Sequence, residues 1–346
     1  MAHHLERRPA LGYGLAVLAA LGWATGGLLS KWLMTAPDPG GITAGWLVQP
    51  LGVALEPTVL AGARALASSL ILGLALTIWR RKDLMLDRPA RDLRFLVPFG
   101  AVGIAGVHYT YFMAISHGTV ATAILLQYLA PVLTLLYAVA FRHERVRWQM
   151  PIGVALALTG AAVVVGAIGG GGLTVSPAGL TWGLLAAVWF GGYSVAGAEG
   201  GTRFHPYTLL FYSLVAAAVM WLLVIGPRAV LAPFADQQVA LAVILMAVVS
   251  TIVPFGAYLM ALRHISPTHA AVTAMLEPVA AGFGAWVILG EPMTTSLIVG
   301  GAVVIGAIAL IQLSEDRPIV HAELPEAGDV TIADESGLTE PDRIAE

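Results

Sequence analysis

Apolar residues form long, nearly continuous runs along most of the chain, and short charged or turn-rich segments separate them. A helix needs about 20 apolar residues to cross the hydrocarbon core of a bilayer. The runs lack the alternation of polar and apolar residues that marks the strands of a membrane barrel, and lipid admits only helices or closed barrels. The pattern therefore predicts an all-α integral membrane protein with ten transmembrane helices, at residues 11–33, 57–79, 94–115, 119–141, 149–168, 177–198, 206–226, 238–262, 268–289 and 295–313.

Composition supports a membrane protein. Of the 346 residues, 58% are hydrophobic and 11% are charged, whereas a soluble domain carries roughly 25% charged residues. Cysteine is absent, which excludes a disulfide framework and a cysteine metal site. The first apolar run has no convincing cleavage site, so we interpret it as a retained helix and not as a signal peptide.

Lys and Arg residues predict the orientation, because cytoplasmic loops carry an excess of them. Nearly all fall on one side of the ten-span arrangement, at Arg7, Arg8, Arg80, Arg81, Lys82, Arg88, Arg91, Arg94, Arg142, Arg145, Arg147, Arg203, Arg263, Arg317 and Arg343. Only Lys31 and Arg228 fall on the other side. We therefore expect a multi-pass protein of the cell (cytoplasmic) membrane with both termini in the cytoplasm.

An internal repeat divides the chain. Residues 112–160 align with residues 259–307 at a constant offset, which pairs Pro131 with Pro278, Glu144 with Glu291 and Gly153 with Gly300. Each half then holds five helices, and an odd number makes the second half begin on the opposite side of the membrane. The sequence therefore predicts two inverted five-helix repeats, a construction that places the substrate site near the midplane.

The predicted segments are a cytoplasmic N-terminus (1–10), a first repeat (11–168), a second repeat (177–313) and an acidic tail (314–346) that we expect to be disordered. The first repeat contains an extracytoplasmic insert at 34–57 that is apolar and rich in Pro and Gly. This insert lies on the membrane surface, covers an opening or is a passive loop.

Positions that are alike in both halves serve the fold, so Pro131 and Pro278 are interpreted as helix kinks. Glu277 differs, because its mate is Ala130. A charge at the centre of a bilayer costs about 2.5–3.5 kcal/mol on insertion scales, which favours a role as proton acceptor or as counter-ion to a cationic substrate. The alternative is a protonated acid that is hydrogen-bonded to a neighbouring helix.

His269 and Thr273 share one helix face with Glu277, because four residues separate each from the next. The other candidates for substrate binding or coupling are Gln127, Tyr128, Tyr111, Tyr258, Trp23, Trp189 and Ser194. The alternative for the aromatic residues is that they mark membrane interfaces or pack between helices. Arg64 pairs with Glu277, binds an anion or snorkels outward, and snorkelling is the default expectation.

The segments QYLAPVLTLLYAVAFRHE (Gln127–Glu144) and AMLEPVAAGFGAWVILGE (Ala274–Glu291) share one proline-to-glutamate spacing, and a glycine-bearing helix follows each. This pattern resembles the EamA family of the drug/metabolite transporter superfamily, over about residues 11–313. The resemblance implies a central cavity lined by helices one to four and six to nine, with helices five and ten peripheral. It also implies transport of amino acids, drugs or other small metabolites.

The leading hypothesis is a secondary active transporter of small metabolites that works by alternating access, in the direction of efflux, with proton coupling as an added hypothesis. No GxxxxGK[ST] motif appears in the sequence, which argues against ATP-driven transport by this chain. The alternatives are a passive channel and an intramembrane metal-dependent enzyme that uses His108, His117, His264 and His269. We expect no enzyme activity, no cofactor, no metal and no nucleic acid partner. The expected partners are a small-molecule substrate and the lipid bilayer, with a homodimer and a monomer both left open.

Overall fold

The structure is a computed structural model, and it describes residues 8–38, 40–130, 132–133, 136–137, 140, 148–168, 175–261, 264–265, 270 and 273–315. All regular elements in these ranges are helices, and no strand occurs among the described residues. The predicted acidic tail lies almost wholly outside the described residues, and so do Pro131 and His269. The all-α prediction is confirmed for the part of the chain that is described.

Eleven helices are defined here in chain order. They are α1 (Pro9–Met34), α2 (Pro57–Trp79), α3 (Pro89–Ser116), α4 (Val120–Gln127), α5 (Gln149–Val164), α6 (Pro177–Arg203), α7 (Pro206–Val224), the short α8 (Pro227–Leu231), α9 (Gln237–Ala247, Val248–Ile252 and Val253–Ala261), α10 (Leu276–Leu289) and α11 (Thr295–Glu315).

Six of these helices are long and apolar enough to cross a membrane, namely α1, α2, α3, α6, α7 and α9. They coincide with the first, second, third, sixth, seventh and eighth predicted spans. Shorter apolar helices occupy Pro151–Val164, Leu276–Leu289 and Thr295–Leu310. The fourth and ninth predicted spans extend into residues that are not described, so ten spans remain a prediction.

Local sequence explains where the helices begin. Proline occupies the first turn of α1, α2, α3, α6, α7 and α8, where its missing N–H costs no hydrogen bond and its fixed φ suits a helix. Ser176 also caps α6 by accepting a hydrogen bond from Gly179 N at 3.0 Å, as N-terminal serines commonly do.

Two π-helical segments interrupt long helices at matching places of the repeat, Phe99–Ile104 in α3 and Val248–Ile252 in α9. A π segment disturbs the regular ladder of backbone hydrogen bonds. Side chains from other helices bond to carbonyls in both segments. Trp189 Nε1 donates to Val102 O at 2.7 Å, and Arg64 Nη2 donates to Ser250 O at 3.2 Å.

Two helix breaks also occur at matching places of the repeat. Tyr128 ends α4 with φ −66° and ψ −1°, and its repeat mate Met275 precedes α10 with φ −66° and ψ −3°. Each break lies three residues before a proline of the pair Pro131 and Pro278. A proline has no N–H for the carbonyl four residues earlier and its ring crowds that carbonyl, which explains the break.

Close packing of α5 against α11 depends on glycine. A Cβ atom on Gly160 would lie 2.9 Å from Gly300 O, and one on Gly300 would lie 2.7 Å from Gly160 O. The same sites face Val304 and Val164, one turn further along the opposite helix. Small residues allow such close approach of helices in membranes. The two glycines thus make reciprocal contacts.

Backbone hydrogen bonds attach the insert 34–57 to the ends of two helices, α1 and α10. Leu55 N donates to Leu33 O at 2.9 Å near the end of α1, and Leu47 N donates to Ile288 O at 2.8 Å near the end of α10. The side chains of Ile42 and Leu47 are exposed. The two backbone hydrogen bonds tie the insert to the ends of α1 and α10.

Candidate substrate and coupling site

The candidate site is centred on Glu277, which lies half-buried in the first turn of α10. Tyr128 Oη lies 3.0 Å from Glu277 Oε2 and 3.0 Å from Ala274 O. A tyrosine hydroxyl has one proton and donates to one of these acceptors at a time. The hydroxyl therefore joins the carboxylate to the backbone of the helix break.

The position of Pro278 explains why Ala274 O accepts a side-chain hydrogen bond. Four residues separate Ala274 from Pro278, so the donor that would normally meet this carbonyl in a helix is missing. Tyr128 supplies a donor from the first half of the chain, across 146 residues. The same side chain thus contacts both the carbonyl at the helix break and the carboxylate.

Several aromatic side chains lie in the same region as this pair. The Trp23 ring packs 5.4 Å from Phe255 and 5.5 Å from Tyr258, between centroids. Tyr258 and Tyr111 both lie within electrostatic range of Tyr128. Four of the residues predicted from sequence, Tyr128, Tyr111, Tyr258 and Trp23, are therefore brought to one region with Glu277.

Tyr111 is 9% exposed, and its hydroxyl has no hydrogen-bond partner within the described part of the chain. It lies within electrostatic range of both Glu277 and Arg64. A Cβ atom on Gly27 of α1 would lie 2.8 Å from this hydroxyl, so a glycine is needed there for the ring to fit.

Arg64 points into the bundle and is only 5% exposed. Its Nε donates to Thr251 Oγ1 at 2.9 Å, and its guanidinium lies 5.6 Å from the centre of the Phe112 ring. The expectation of outward snorkelling is therefore wrong. The physical reason is the π segment of α9, whose Ser250 carbonyl and Thr251 hydroxyl offer buried acceptors to the guanidinium.

A sequence signal for Arg64 existed. The constant offset of the repeat, extended to the second helix, pairs Arg64 with Phe211. In the alignment of the two halves, a charged residue in one half therefore matches an apolar residue in the other. The same kind of mismatch singled out Glu277.

A small cavity of about 30 Å³ lies beside the arginine's partner. Thr251 and His108 supply polar atoms to its wall, and Phe255 and Leu214 are among its apolar residues. A volume of this size holds about one water molecule. This cavity is therefore too small for a metabolite in this conformation.

Other predicted site residues lie elsewhere. Trp189 is 36% exposed and lines an open groove of about 500 Å³ between α3 and α6. Ser194 is exposed and donates to Phe190 O within its own helix. Gln127 and Thr273 are half-buried and flank Tyr128 and Ala274 along the chain. His269 lies outside the described residues.

Three of the four histidines that the enzyme hypothesis needs are described, and they lie in different surroundings; the fourth, His269, is outside the described residues. His108 is buried against Phe112, His117 is exposed beside Ser116, and His264 lies near Arg8. No group of three metal-binding side chains was found among the residues that the structure describes.

A second polar cluster, which the sequence did not predict, closes the turn between α3 and α4. Lys31 Nζ donates to Ile115 O at 3.0 Å and to Gly118 O at 2.7 Å. Glu291 accepts from Val120 N at 3.0 Å, at the first turn of α4. Burial raises the pKa of the Glu291 carboxyl, while Lys31 and backbone N–H groups lower it. We call Lys31 and Glu291 the turn clamp.

Apolar helices of membrane length that enclose a carboxylate, a guanidinium and tyrosines define a polytopic membrane protein with a polar interior, which is the usual construction of solute transporters. Sequence comparison identifies the family. The model of the EamA-like transporter family matches residues 10–166 and 177–313. The chain belongs to this family, as the resemblance in its sequence predicted.

Individual relatives include named exporters. The chain is 31% identical over 225 residues to a probable terminal-alkyne amino-acid exporter of Streptantibioticus cattleyicolor, a match that covers 64% of this chain and 74% of that protein. It is 28% identical over 223 residues to the pseudopaline exporter of Pseudomonas aeruginosa, covering 62% and 74%. An uncharacterized inner membrane transporter of Salmonella typhimurium is 23% identical over 235 residues, covering 66% and 75%.

A solved crystal structure of a protein has a similar fold. The TM-score is 0.57 at 22% sequence identity, and the match covers 89% of this chain and 98% of that one. The similarity concerns the fold alone.

Proposed function

We propose that the chain is a secondary active exporter of small metabolites that works by alternating access between two inverted five-helix repeats. In this proposal ten helices span the cell membrane and both termini are cytoplasmic. Two relatives that are named exporters support the direction of transport. Family membership supports a small-molecule substrate and a bilayer environment; a monomer and a homodimer are both compatible with the proposal.

Paired features of the two halves support the inverted repeat. The π segments of α3 and α9 and the breaks at Tyr128 and Met275 occur at matching places. Gly160 and Gly300 make the same contacts with each other's helices. A chain built from two similar units related in opposite senses has two similar closed forms, between which a ligand shifts the population.

The single observation that carries the proposed mechanism is the link from Tyr128 to Glu277, because it joins the two halves at an ionisable group. We assign Glu277 the alternate binding of a proton and of a cationic group on the substrate. Competition of the two for one carboxylate couples entry of the proton to exit of the substrate. Tyr128 stabilises the ionised carboxylate between these steps, since hydrogen bonds to charged groups are the stronger ones.

Metabolite profiling tests the function first. Cells expressing wild type or Glu277→Gln at equal membrane levels are compared for compounds in cells and medium. We expect at least one compound to accumulate in the medium with wild type only. The matched control is Glu199→Gln, which neutralises an exposed carboxylate beside Arg203 and is expected to export like wild type.

The compound identified in this way then tests the mechanism in proteoliposomes. We expect saturable flux and counter-exchange in wild type, and loss of both pH-driven flux and exchange in Glu277→Gln. Exchange that survives the substitution would mean that the carboxylate carries only the proton. Flux that does not saturate would contradict a carrier and favour a channel.

A further inference from the structure

The guanidinium of Arg64 is a buried cation without a buried counter-ion. No carboxylate of the described residues lies within ion-pair distance of it. Its two hydrogen bonds, to Thr251 Oγ1 and Ser250 O, engage two of about five N–H donors. A buried charge is costly unless it is paired and hydrogen-bonded, so the site as it stands favours the arrival of an anion.

Two further polar atoms near Arg64 are also without partners. Ser68 lies one helical turn after Arg64 on the same face of α2, and its hydroxyl is fully buried and unpaired. The Tyr111 hydroxyl, within electrostatic range of Arg64, is buried and unpaired as well. Within the described ranges only two other side-chain atoms, on Gln149 and Trp221, share this condition. Buried polar groups normally have partners, which indicates that a ligand supplies them here.

A small cavity lies next to a partner of Arg64, although Arg64, Ser68 and Tyr111 themselves are not among its lining residues. Thr251, the acceptor of the Arg64 Nε hydrogen bond, lines the cavity of about 30 Å³ together with His108. This space holds about one water molecule and not a substrate in the present conformation.

Tyr111 lies within electrostatic range of both Arg64 and Glu277. A guanidinium and a carboxylate therefore both act on one tyrosine, and no ion pair joins Arg64 to Glu277. A ligand that carries both a carboxylate and an ammonium group complements this arrangement, because guanidinium binds carboxylate in a bidentate manner and Glu277 accepts the ammonium.

We propose that Arg64, with Ser68 and Tyr111, forms a subsite for the carboxylate of a dipolar substrate whose ammonium group is bound by Glu277. This inference rests on the proposed export function and narrows its substrate class. Arg64 then determines specificity, since a cation without the carboxylate leaves the guanidinium unneutralised.

The inference is tested by binding to the purified full chain in detergent, measured by titration calorimetry. Four probes of one carbon skeleton are compared: norleucine, norleucinamide, hexanoate and hexylamine. We expect wild type to bind norleucine at least about tenfold more tightly than norleucinamide, as one lost charged hydrogen-bonding pair would cause. Hexanoate and hexylamine are each expected to bind more weakly than norleucine.

Variants of Arg64 test whether this residue causes the preference for norleucine over norleucinamide. Arg64→Gln is expected to bring the Kd values of norleucine and norleucinamide together, and Arg64→Lys is expected to keep part of the difference. The matched control is Arg228→Gln, which removes an exposed arginine and should leave the preference unchanged. Should Arg64→Gln fail to fold, the comparison of the four probes in wild type decides alone.

Equal binding of norleucine and norleucinamide by wild type would overturn the inference, and so would the absence of binding by all four probes. A preference that persists in Arg64→Gln would overturn the role of the residue. Binding of hexylamine that matches norleucine and is lost in Glu277→Gln would overturn the dipolar substrate while leaving export of cations intact. Metabolite profiling reports the export function separately.

Discussion

Tyr128 has one hydroxyl proton and two acceptors at equal distance, Glu277 Oε2 and Ala274 O. An ionised carboxylate attracts that proton more strongly than a carbonyl does, because charge-assisted hydrogen bonds are roughly twice as strong as neutral ones. When Glu277 holds a proton or a cation, the hydroxyl is free to turn to the carbonyl that Pro278 leaves without a donor. In the proposed mechanism, the charge state of one residue is thereby transmitted to the helix break before α10.

Tyr128→Phe tests this arrangement at the scale of the residue. Loss of the hydroxyl removes one hydrogen bond to a charged group, so we expect the free energy of unfolding to fall by about 1–3 kcal/mol. We also expect the pH dependence of flux in proteoliposomes to change. Thermal or chemical unfolding in detergent and flux at several pH values provide the measurements.

Tyr212→Phe is the matched control for this substitution. The Tyr212 hydroxyl donates to Leu84 O at 2.8 Å, at a place where no carboxylate shares its proton. The control should lose about 1 kcal/mol of stability and keep the wild-type pH dependence. An equal change of transport in both variants would contradict a special role for Tyr128.

The turn clamp connects four helices at the turn between α3 and α4. Lys31 at the end of α1 binds carbonyls at the end of α3, and Glu291 after α10 binds the first N–H groups of α4. The signs suit the helix ends, since cations are stabilising at C-termini and anions at N-termini. In the proposed orientation this clamp lies on the extracytoplasmic side, where the ends of α1 and α10 meet the turn between α3 and α4.

Lys31→Met removes the cation and is expected to lower stability by about 1–3 kcal/mol, because two carbonyls lose a charged donor. The chain has no cysteine, so a single introduced cysteine reports local opening. Ala121→Cys places this reporter at a buried position beside the clamp. Because loss of one or two hydrogen bonds makes local opening easier, this cysteine should react with a thiol reagent several times faster when Lys31→Met is also present.

Lys82→Met, which removes an exposed lysine, serves as the control and should leave the labelling rate of Ala121→Cys unchanged. Labelling that is equally slow with and without Lys31 would show that the clamp does not hold the turn closed.

At the scale of the whole molecule, the contact of α5 with α11 relates the two halves. Gly160 and Gly300 make equivalent contacts. Each lies close to the carbonyl oxygen of the other and to the valine one turn further along the other's helix. Reciprocal contacts of this kind are what a two-fold relation between the halves produces. The contact is therefore a point at which the proposed symmetry is measurable.

Gly160→Ala and Gly300→Ala are expected to destabilise the protein by similar amounts, about 1–3 kcal/mol each, because each added Cβ meets backbone atoms closer than van der Waals contact. Gly306→Ala, on α11, meets nothing within 4 Å and should be neutral or stabilise by up to about 1 kcal/mol. Chemical unfolding of the three variants in one detergent is the measurement. A large cost in one glycine and none in the other would contradict the reciprocal contact.

Several features were readable from the sequence because they depend on composition or on the covalent chain. Hydropathy predicts membrane helices because backbone N–H and C=O groups in lipid must form their hydrogen bonds within the helix. The helices α1, α2, α3, α6, α7 and α9 lie where hydropathy predicted them. Proline cannot donate a hydrogen bond, so the break before Pro278 follows from residue type. Comparison of the two halves singled out Glu277 as a position that the shared fold does not explain.

Tertiary structure decided the contacts that depend on helix rotation and on distant partners. Trp23 and Trp189 are equivalent in the repeat, yet Trp23 packs against Tyr258 while Trp189 lies at an open groove. Arg64 turns inward because the π segment of α9 brings acceptors to it across 187 residues of chain. Such pairings arise from how helices pack against one another, and the pattern within a single helix does not contain that information.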